Sequence, residues 1–208
     1  MHKITVIGVG PGGRESLTGA AQAAITRADV LLGGRRHLET FASGGRETFT
    51  LANNLINAVQ FIKDRRHLRV AVLATGDPGM YGILDFLRRH FEPEDIEVIP
   101  GISAVQEAFA RLVMPWQDAV ILSAHGRDTG ALVEIIKNSS KVAVLTGPES
   151  TPVRLAGLLT EAGLGERASF VCTDLTLPGE KVTGLKIKDL IGYPEGNRHN
   201  CVMVIVDE

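Results

Sequence analysis

Three times in its first half this chain runs a short apolar stretch into a glycine-bearing turn and then into a helix-like segment. Ile4 to Val9 leads through Gly8-Val9-Gly10-Pro11-Gly12, Val70 to Ala74 into Gly76-Asp77-Pro78-Gly79, and Ile96 to Ile99 into Pro100-Gly101-Ile102-Ser103-Ala104. Strand and helix in alternation leave few architectures open, and the favoured one is a parallel sheet with right-handed crossovers. The carboxyl ends of such strands share one edge, which is where open α/β sheets bind ligands. Glycine at that edge lets backbone come close to a ligand and permits positive φ. The sequence is therefore expected to gather one ligand cleft from several strand ends.

The segments between fit this plan. Glu15 to Arg27 carries Leu17, Ala20, Ala21, Ala24 and Ile25 at helical spacing, and Asn54 to Arg66 puts Leu55, Val59 and Ile62 on one face. Ser103 to Leu112 opens with Ser103 and has Gln106 three residues on, a capping-box pattern. The pattern pauses at Met114-Pro115-Trp116-Gln117-Asp118, where proline ends a helix, and a domain boundary is placed there. The second half restarts with strands at Ala119 to Ser123 and Lys141 to Leu145. A helix opened by Thr151-Pro152 and closed by Gly163 follows, then apolar strands at Phe170 to Thr173 and Cys201 to Val206. Pro178 to Gly184 reads as a turn and a polar strand, so this second sheet is expected to be mixed.

Composition excludes several classes. With 44% hydrophobic and 22% charged residues, the chain is an ordinary globular one, and no apolar run reaches the ~18 residues of a membrane span. Met1-His2-Lys3 runs straight into a strand, so no signal peptide is expected and the cytoplasm is the expected location. Cys172 and Cys201 sit inside apolar strands and read as buried free thiols. With no Cys-x-x-Cys or His-Glu-x-x-His, no metal site is expected. A net charge of −2 argues against broad contact with a phosphate backbone.

Each glycine turn has a plain reading beside a functional one. Gly8, Gly10 and Gly13 spell the G-x-G-x-x-G of dinucleotide folds, and a strand precedes them. The acidic residue that should end the second strand is missing: Val30-Leu31-Leu32 runs into Gly33-Gly34, and Asp29 stands before it. Pro11 also removes an amide from the turn. Gly76-Asp77-Pro78-Gly79 is compatible with a simple type I turn, and Ser103 with a helix cap.

Together, VIGVGPGGRESLT, ATGDPGMYG and VIPGISA, in this order and spacing, resemble the tetrapyrrole methylases. These are S-adenosyl-L-methionine-dependent methyltransferases that act on uroporphyrinogen and the precorrins. The resemblance covers nearly the whole chain. It implies two α/β domains of the class III methyltransferase type, placed here at residues 1–114 and 117–208, with the active-site cleft between them. The first would hold the parallel sheet, the substrate and part of the cofactor site; the second would hold the mixed sheet and the remainder. It also implies a homodimer. By resemblance, Pro11, Gly76, Asp77, Met80, Tyr81, Ser103, Ala104, Leu145, Thr146 and Gly147 contact the methyl donor. The donor carries a sulfonium, an ammonium, a carboxylate and ribose hydroxyls but no phosphate, which fits the absence of a G-x-x-x-x-G-K-[ST] loop.

Two segments, Gly33-Gly34-Arg35-Arg36-His37-Leu38-Glu39 and Ser123-Ala124-His125-Gly126-Arg127, look like the branch of the family that methylates carbon 5 of precorrin-7 in cobalamin synthesis. A precorrin is ringed by acetate and propionate carboxylates, and arginine forks pair with carboxylates in bidentate geometry. Arg35, Arg36 and Arg127, with His37 and His125, are expected to form a basic lip for the substrate, with Gly10 and Ser123 beside it. On the residues alone, Arg35 and Arg36 read first as solvated residues after a turn, and His125 as a satisfied polar group at a strand end.

Methyl transfer from a sulfonium to a ring carbon is an in-line displacement that needs no protein nucleophile. Alignment of the two reactants can lower such a barrier by about 7–11 kcal/mol. His125 and Asp77 are the candidates for accepting the ring proton. Because the chain ends at Glu208 directly after a strand, it is expected to carry only the carbon 5 step, with a carbon 15 methyltransferase/decarboxylase on a separate protein. Whether the ring carries cobalt is open. The alternatives are another precorrin or uroporphyrinogen methyltransferase, a nucleotide-cofactor oxidoreductase using Gly8 to Gly13, and a non-enzymatic tetrapyrrole-binding subunit.

Overall fold

The computed structural model describes residues 1–52, 55–124, 129–194 and 201–207. The chain divides into two compact units, Met1–Ser103 and Ala104–Glu208.

The first unit alternates β1 (Ile4–Gly8), α1 (Gly19–Arg27), β2 (Val30–Gly33), α2 (Arg35–Phe41), β3 (Glu47–Thr50), α3 (Leu55–Asp64), β4 (Val70–Ala74), α4 (Ile83–Arg88) and β5 (Ile96–Ile99). Its strands are all parallel, in the order β3-β2-β4-β1-β5. Side chains alternate across the sheet, as strand geometry requires. Ile7, Leu31, Ala71 and Leu73 point to one face, where they meet Ala21, Ala24 and Ile25 of α1 and Leu38 and Phe41 of α2. Val6, Leu32, Val70 and Val72 point to the other and meet Ala58, Val59 and Ile62 of α3 and Leu87 of α4. Burial on both faces explains why these strands read as continuous apolar runs.

The topology has a functional consequence. From β1 the chain leaves to one face through α1; from its neighbour β4 it leaves to the opposite face through α4. Adjacent strands whose connections part in this way define the switch point of a doubly wound sheet, where ligands bind. The turns after β1 and β4 are two of the three glycine turns.

The second unit contains α5 (Ala104–Leu112), β6 (Val120–Ser123), α6 (Thr129–Lys137), β7 (Lys141–Thr146), α7 (Pro152–Glu161), β8 (Ala168–Thr173), β9 (Lys181–Lys186) and β10 (Cys201–Val206). Its sheet runs β6-β7-β10-β8-β9 and is mixed: β6 and β7 are parallel, and every later pairing is antiparallel. Leu155, Ala156 and Leu159 of α7, with Leu132 and Ile136 of α6, pack on one face with Val142, Val144 and Met203. Among the described residues no helix is long and apolar enough to cross a membrane.

Two expectations shift, and one strand goes unannounced. The first helix begins at Gly19 rather than Glu15: Thr18 is extended and its hydroxyl accepts the Ala21 amide at 3.1 Å, which sets the helix start, while Arg14–Ser16 forms only a 3₁₀ turn. Strand β3 carries no apolar alternation strong enough to announce it. The division between units falls at Ser103–Ala104, one helix before the pause at Trp116, because α5 buries Val105, Ala108 and Phe109 against Ala143, Cys172, Val202 and Val204 of the second sheet.

Candidate active site

In the first unit the sequence glycines do two different jobs. Gly8 and Gly101 permit a close approach of strand ends: a Cβ on Gly8 would stand 2.5 Å from the Gly101 amide and 2.6 Å from the Gly76 carbonyl, and one on Gly101 would stand 2.2 Å from that same carbonyl. Gly10 and Gly76 provide left-handed backbone, with φ of 78° and 65°. These two residues pair across the gap, Gly76 N–H donating to the Gly10 carbonyl at 2.8 Å and Gly10 N–H to the Gly76 carbonyl at 3.3 Å. The turns after β1, β4 and β5 are thereby drawn into one structure.

Side chains tie the same turns together. Asp77 Oδ2 accepts the Gly101 N–H at 3.1 Å and its Oδ1 accepts the Gly79 N–H at 2.8 Å. The second contact is the local turn that aspartate favours before proline and glycine. Arg36, in the first turn of α2, donates to the Pro11 carbonyl at 3.1 Å. His37 Nε2 lies 3.2 Å from the hydroxyl of Thr75, the residue after β4. Tyr81 is held at φ 52° and is exposed. A bulky residue in that region is strained, and such strain clusters at functional loops.

The geometry revises several assignments. Asp77 places both carboxylate oxygens on backbone amides and so ties the β4 turn to the β5 turn. His37 is 7% exposed, and burial, with the nearby Arg36 charge second, pulls its pKa from 6.5 down to about 4. The ring is neutral at physiological pH and stands beneath the surface, not in a cationic lip. Arg35 is open to solvent, 3.9 Å from Glu39. Met80 is half-buried, its amide donating to the Asp77 carbonyl at 3.2 Å, and Pro11 is buried. Ser103 is buried at the end of the first unit.

In the second unit, Ala104 opens α5 and the ends of β6 and β7 lie in parallel register, Ser123 beside Leu145, with the Ala124 N–H donating to the Leu145 carbonyl at 2.9 Å. The Thr146 hydroxyl is buried and donates to the Cys201 carbonyl at 3.1 Å, so the side chain serves the sheet. Gly147 and Ser150 exchange backbone hydrogen bonds that turn the chain back after β7. His125 and Arg127 lie outside the described residues. Sequence reasoning missed Thr75; its signal was only its place between an apolar strand and a glycine.

The dinucleotide reading fails on three counts. The α-helix begins at Gly19, six residues after Gly13, so no helix end is presented at the glycine turn. Strand β4, not β2, neighbours β1. Asp29 stands at the start of β2, on the opposite edge of the sheet, where Arg69 grips it through Nε at 3.0 Å and Nη2 at 2.6 Å and holds its pKa well below the usual carboxylate range.

Known proteins resemble this chain in sequence and fold. Residues 3–191 match the model of the Tetrapyrrole (Corrin/Porphyrin) Methylases. The chain is 38% identical over 205 residues to a cobalt-precorrin-7 C(5)-methyltransferase of Salmonella typhimurium, covering 99% of each. A solved structure of a precorrin-6Y methylase from Archaeoglobus fulgidus superposes with a TM-score of 0.74 at 25% identity and 100% coverage of both chains. A uroporphyrin-III C-methyltransferase from Thermus thermophilus, in complex with S-adenosylhomocysteine, shares the fold with a TM-score of 0.74 at 21% identity, over 98% of this chain and 92% of that one. By sequence and by fold, the chain belongs to the tetrapyrrole methylases.

Proposed function

We propose that this protein transfers a methyl group from S-adenosyl-L-methionine to carbon 5 of precorrin-7 or its cobalt form during corrin assembly. The observation that carries the reading is similarity at 38% identity to the Salmonella enzyme over 99% of both chains. The glycine-built strand edge is its physical counterpart. The donor has no phosphate, and the β4 turn suits it: Leu73 to Leu84 contains no lysine or arginine and offers backbone groups instead.

In this reading, Pro11, Gly76, Asp77, Met80, Tyr81 and Ser103 serve the donor on the first unit, and Ala104, Leu145, Thr146 and Gly147 are the donor residues of the second. Gly10, Arg35, Arg36 and Ser123, with His125 and Arg127, serve the carboxylate-rich substrate. The bond from carbon to sulfur breaks as the new carbon–carbon bond forms, and its electron pair leaves sulfur as a neutral thioether. The protein contributes alignment and exclusion of water. With the Asp77 carboxylate occupied, His125 remains the candidate for the ring proton. The Salmonella relative is named for carbon 5 alone, and we assign the carbon 15 step to a separate protein. A cytoplasmic homodimer completes the proposal, and sedimentation of the purified chain tests the dimer.

The deciding experiment is calorimetric titration with S-adenosylhomocysteine, with NADH in a parallel cell. Saturable binding of the first alone is expected. Binding of NADH alone would overturn the reading in favour of an oxidoreductase.

A further inference from the structure

Thr75 stands between β4 and Gly76, exposed at the strand edge where the first-unit turns meet. Behind it is His37, 7% exposed, with Nε2 3.2 Å from the Thr75 hydroxyl and a buried Nδ1 that has no hydrogen-bond partner. The ring is neutral and carries one proton. On Nδ1 that proton would be a buried donor without an acceptor. On Nε2 it makes the bond to Thr75 and leaves Nδ1 as a bare lone pair, the milder defect, since under-used acceptors are commoner inside proteins than orphaned N–H groups. In that tautomer the Thr75 oxygen accepts from His37, and its own proton must point away from the ring. A hydroxyl that would otherwise rotate freely thus becomes a directed donor, on the same edge as the Gly10–Gly76 and Arg36–Pro11 contacts.

We propose that Thr75 is a ligand-contacting residue that donates its hydroxyl proton to a carboxylate, and that His37 is a positioning residue that fixes its direction. The proposal rests on the methyltransferase reading, in which both reactants carry carboxylates: the amino-acid end of the donor and the side chains of the tetrapyrrole. It also gives His37 a different task from that of a cationic substrate contact.

The test titrates wild type, Thr75→Val, Thr75→Ser and His37→Phe with S-adenosylhomocysteine and, separately, with precorrin-7. A hydrogen bond to a charged group lost from Thr75→Val is expected to weaken one ligand roughly ten- to a hundred-fold. Thr75→Ser keeps the affinity. Loss in the homocysteine arm assigns the donor carboxylate, and loss in the precorrin arm assigns the ring carboxylates. His37→Phe is expected to weaken the same ligand severalfold, and in combination with Thr75→Val to add nothing, because the two act through one bond. Thr75→Val leaves the His37 Nε2–H without its acceptor, so urea denaturation is read beside each titration; the double variant, which removes both partners, and Thr75→Ser, which keeps the bond, separate a lost ligand contact from a folding defect. If wild type binds both ligands and Thr75→Val binds them equally well, the proposal is wrong and the methyltransferase reading stands. If wild type binds neither, both fall together.

Discussion

Replacing Gly101 by alanine isolates the close approach on which the candidate site is built. The added methyl would lie 2.2 Å from the Gly76 carbonyl oxygen, more than an ångström inside the ordinary contact that begins at 3.4 Å, and 2.7 Å from the Gly8 carbonyl carbon and Cα, also inside it. Every one of these neighbours is backbone, so no side chain can rotate to make room. The β4 and β5 turns must part, which also stretches the 3.1 Å contact between Asp77 and the Gly101 amide. Overpacking of a tight site costs about 1–3 kcal/mol, and loss of a hydrogen bond to a charged group adds about 1.5–3 kcal/mol. A destabilisation of roughly 3 kcal/mol is expected, with donor affinity falling at least tenfold. Urea denaturation followed by circular dichroism reads the loss. Trp116, the single tryptophan, belongs to the second unit, and its fluorescence should report a transition little changed by the substitution. Gly157→Ala is the control: it sits inside α7 with nothing within 4 Å of its Cβ position, and should stabilise by about 0.5–1 kcal/mol. A Gly101→Ala protein with wild-type midpoint and wild-type affinity for S-adenosylhomocysteine would refute the argument.

Asp77→Asn leaves one acceptor for two amides and is expected to lower stability by about 1–3 kcal/mol and weaken donor binding; a fall in kcat alone, with stability and donor affinity intact, would restore Asp77 as a base. Arg35→Ala should weaken tetrapyrrole binding in a salt-sensitive way and spare S-adenosylhomocysteine, whereas Arg36→Ala, which frees the Pro11 carbonyl, should affect both; equal behaviour of the two in parallel titrations would argue against separate roles. Burial pushes the Cys172 thiol up to about 12, and Cys201 is buried too, so a thiol reagent should label neither in the native protein and both in denaturant. The pKa of His37 drops from 6.5 to about 4 on folding, so the unfolded chain takes up this proton first as pH falls; the stability present above pH 6.5 is lost on the way down to 4, at no more than about 1.4 kcal/mol per pH unit, and His37→Gln should flatten that part of the slope in denaturation midpoints measured between pH 7 and 5.

What could be read in the sequence was what neighbours along the chain decide. Apolar runs such as Val70 to Ala74 announce buried parallel strands, and Thr151-Pro152 announces α7, whose N-terminal cap the structure bears out, Thr151 Oγ1 accepting the Arg154 amide at 3.2 Å. The glycine turns were legible as turns that meet at one sheet edge, because Gly8 and Gly101 leave no room for a Cβ there and Gly10 and Gly76 take positive φ. What could not be read depends on distant partners. The stripe on α5 marks a helix but not which sheet covers it, and that choice moved the boundary to Ser103. His37 looks like a cation beside two arginines; it is a neutral ring because the fold buries it, and its Nε2 faces Thr75, 38 positions on. Strand β3 is short, largely exposed and polar, and its pairing with β2 is visible only in three dimensions.

The place of β10 in the second sheet bears on the order in which the molecule is completed. Val202, Met203, Val204 and Ile205 are almost wholly enclosed, and the strand lies between β7 and β8, each already emerged from the ribosome well before it. The first unit has all five of its strands once residue 99 is out and can close while synthesis continues. The second must wait with two unpaired strand edges until residues 201–206 arrive to fill the gap between them. During that interval a stray extended segment could occupy the slot, which makes the nascent second unit, rather than the glycine-rich first, the stage of biogenesis where a chaperone would matter most.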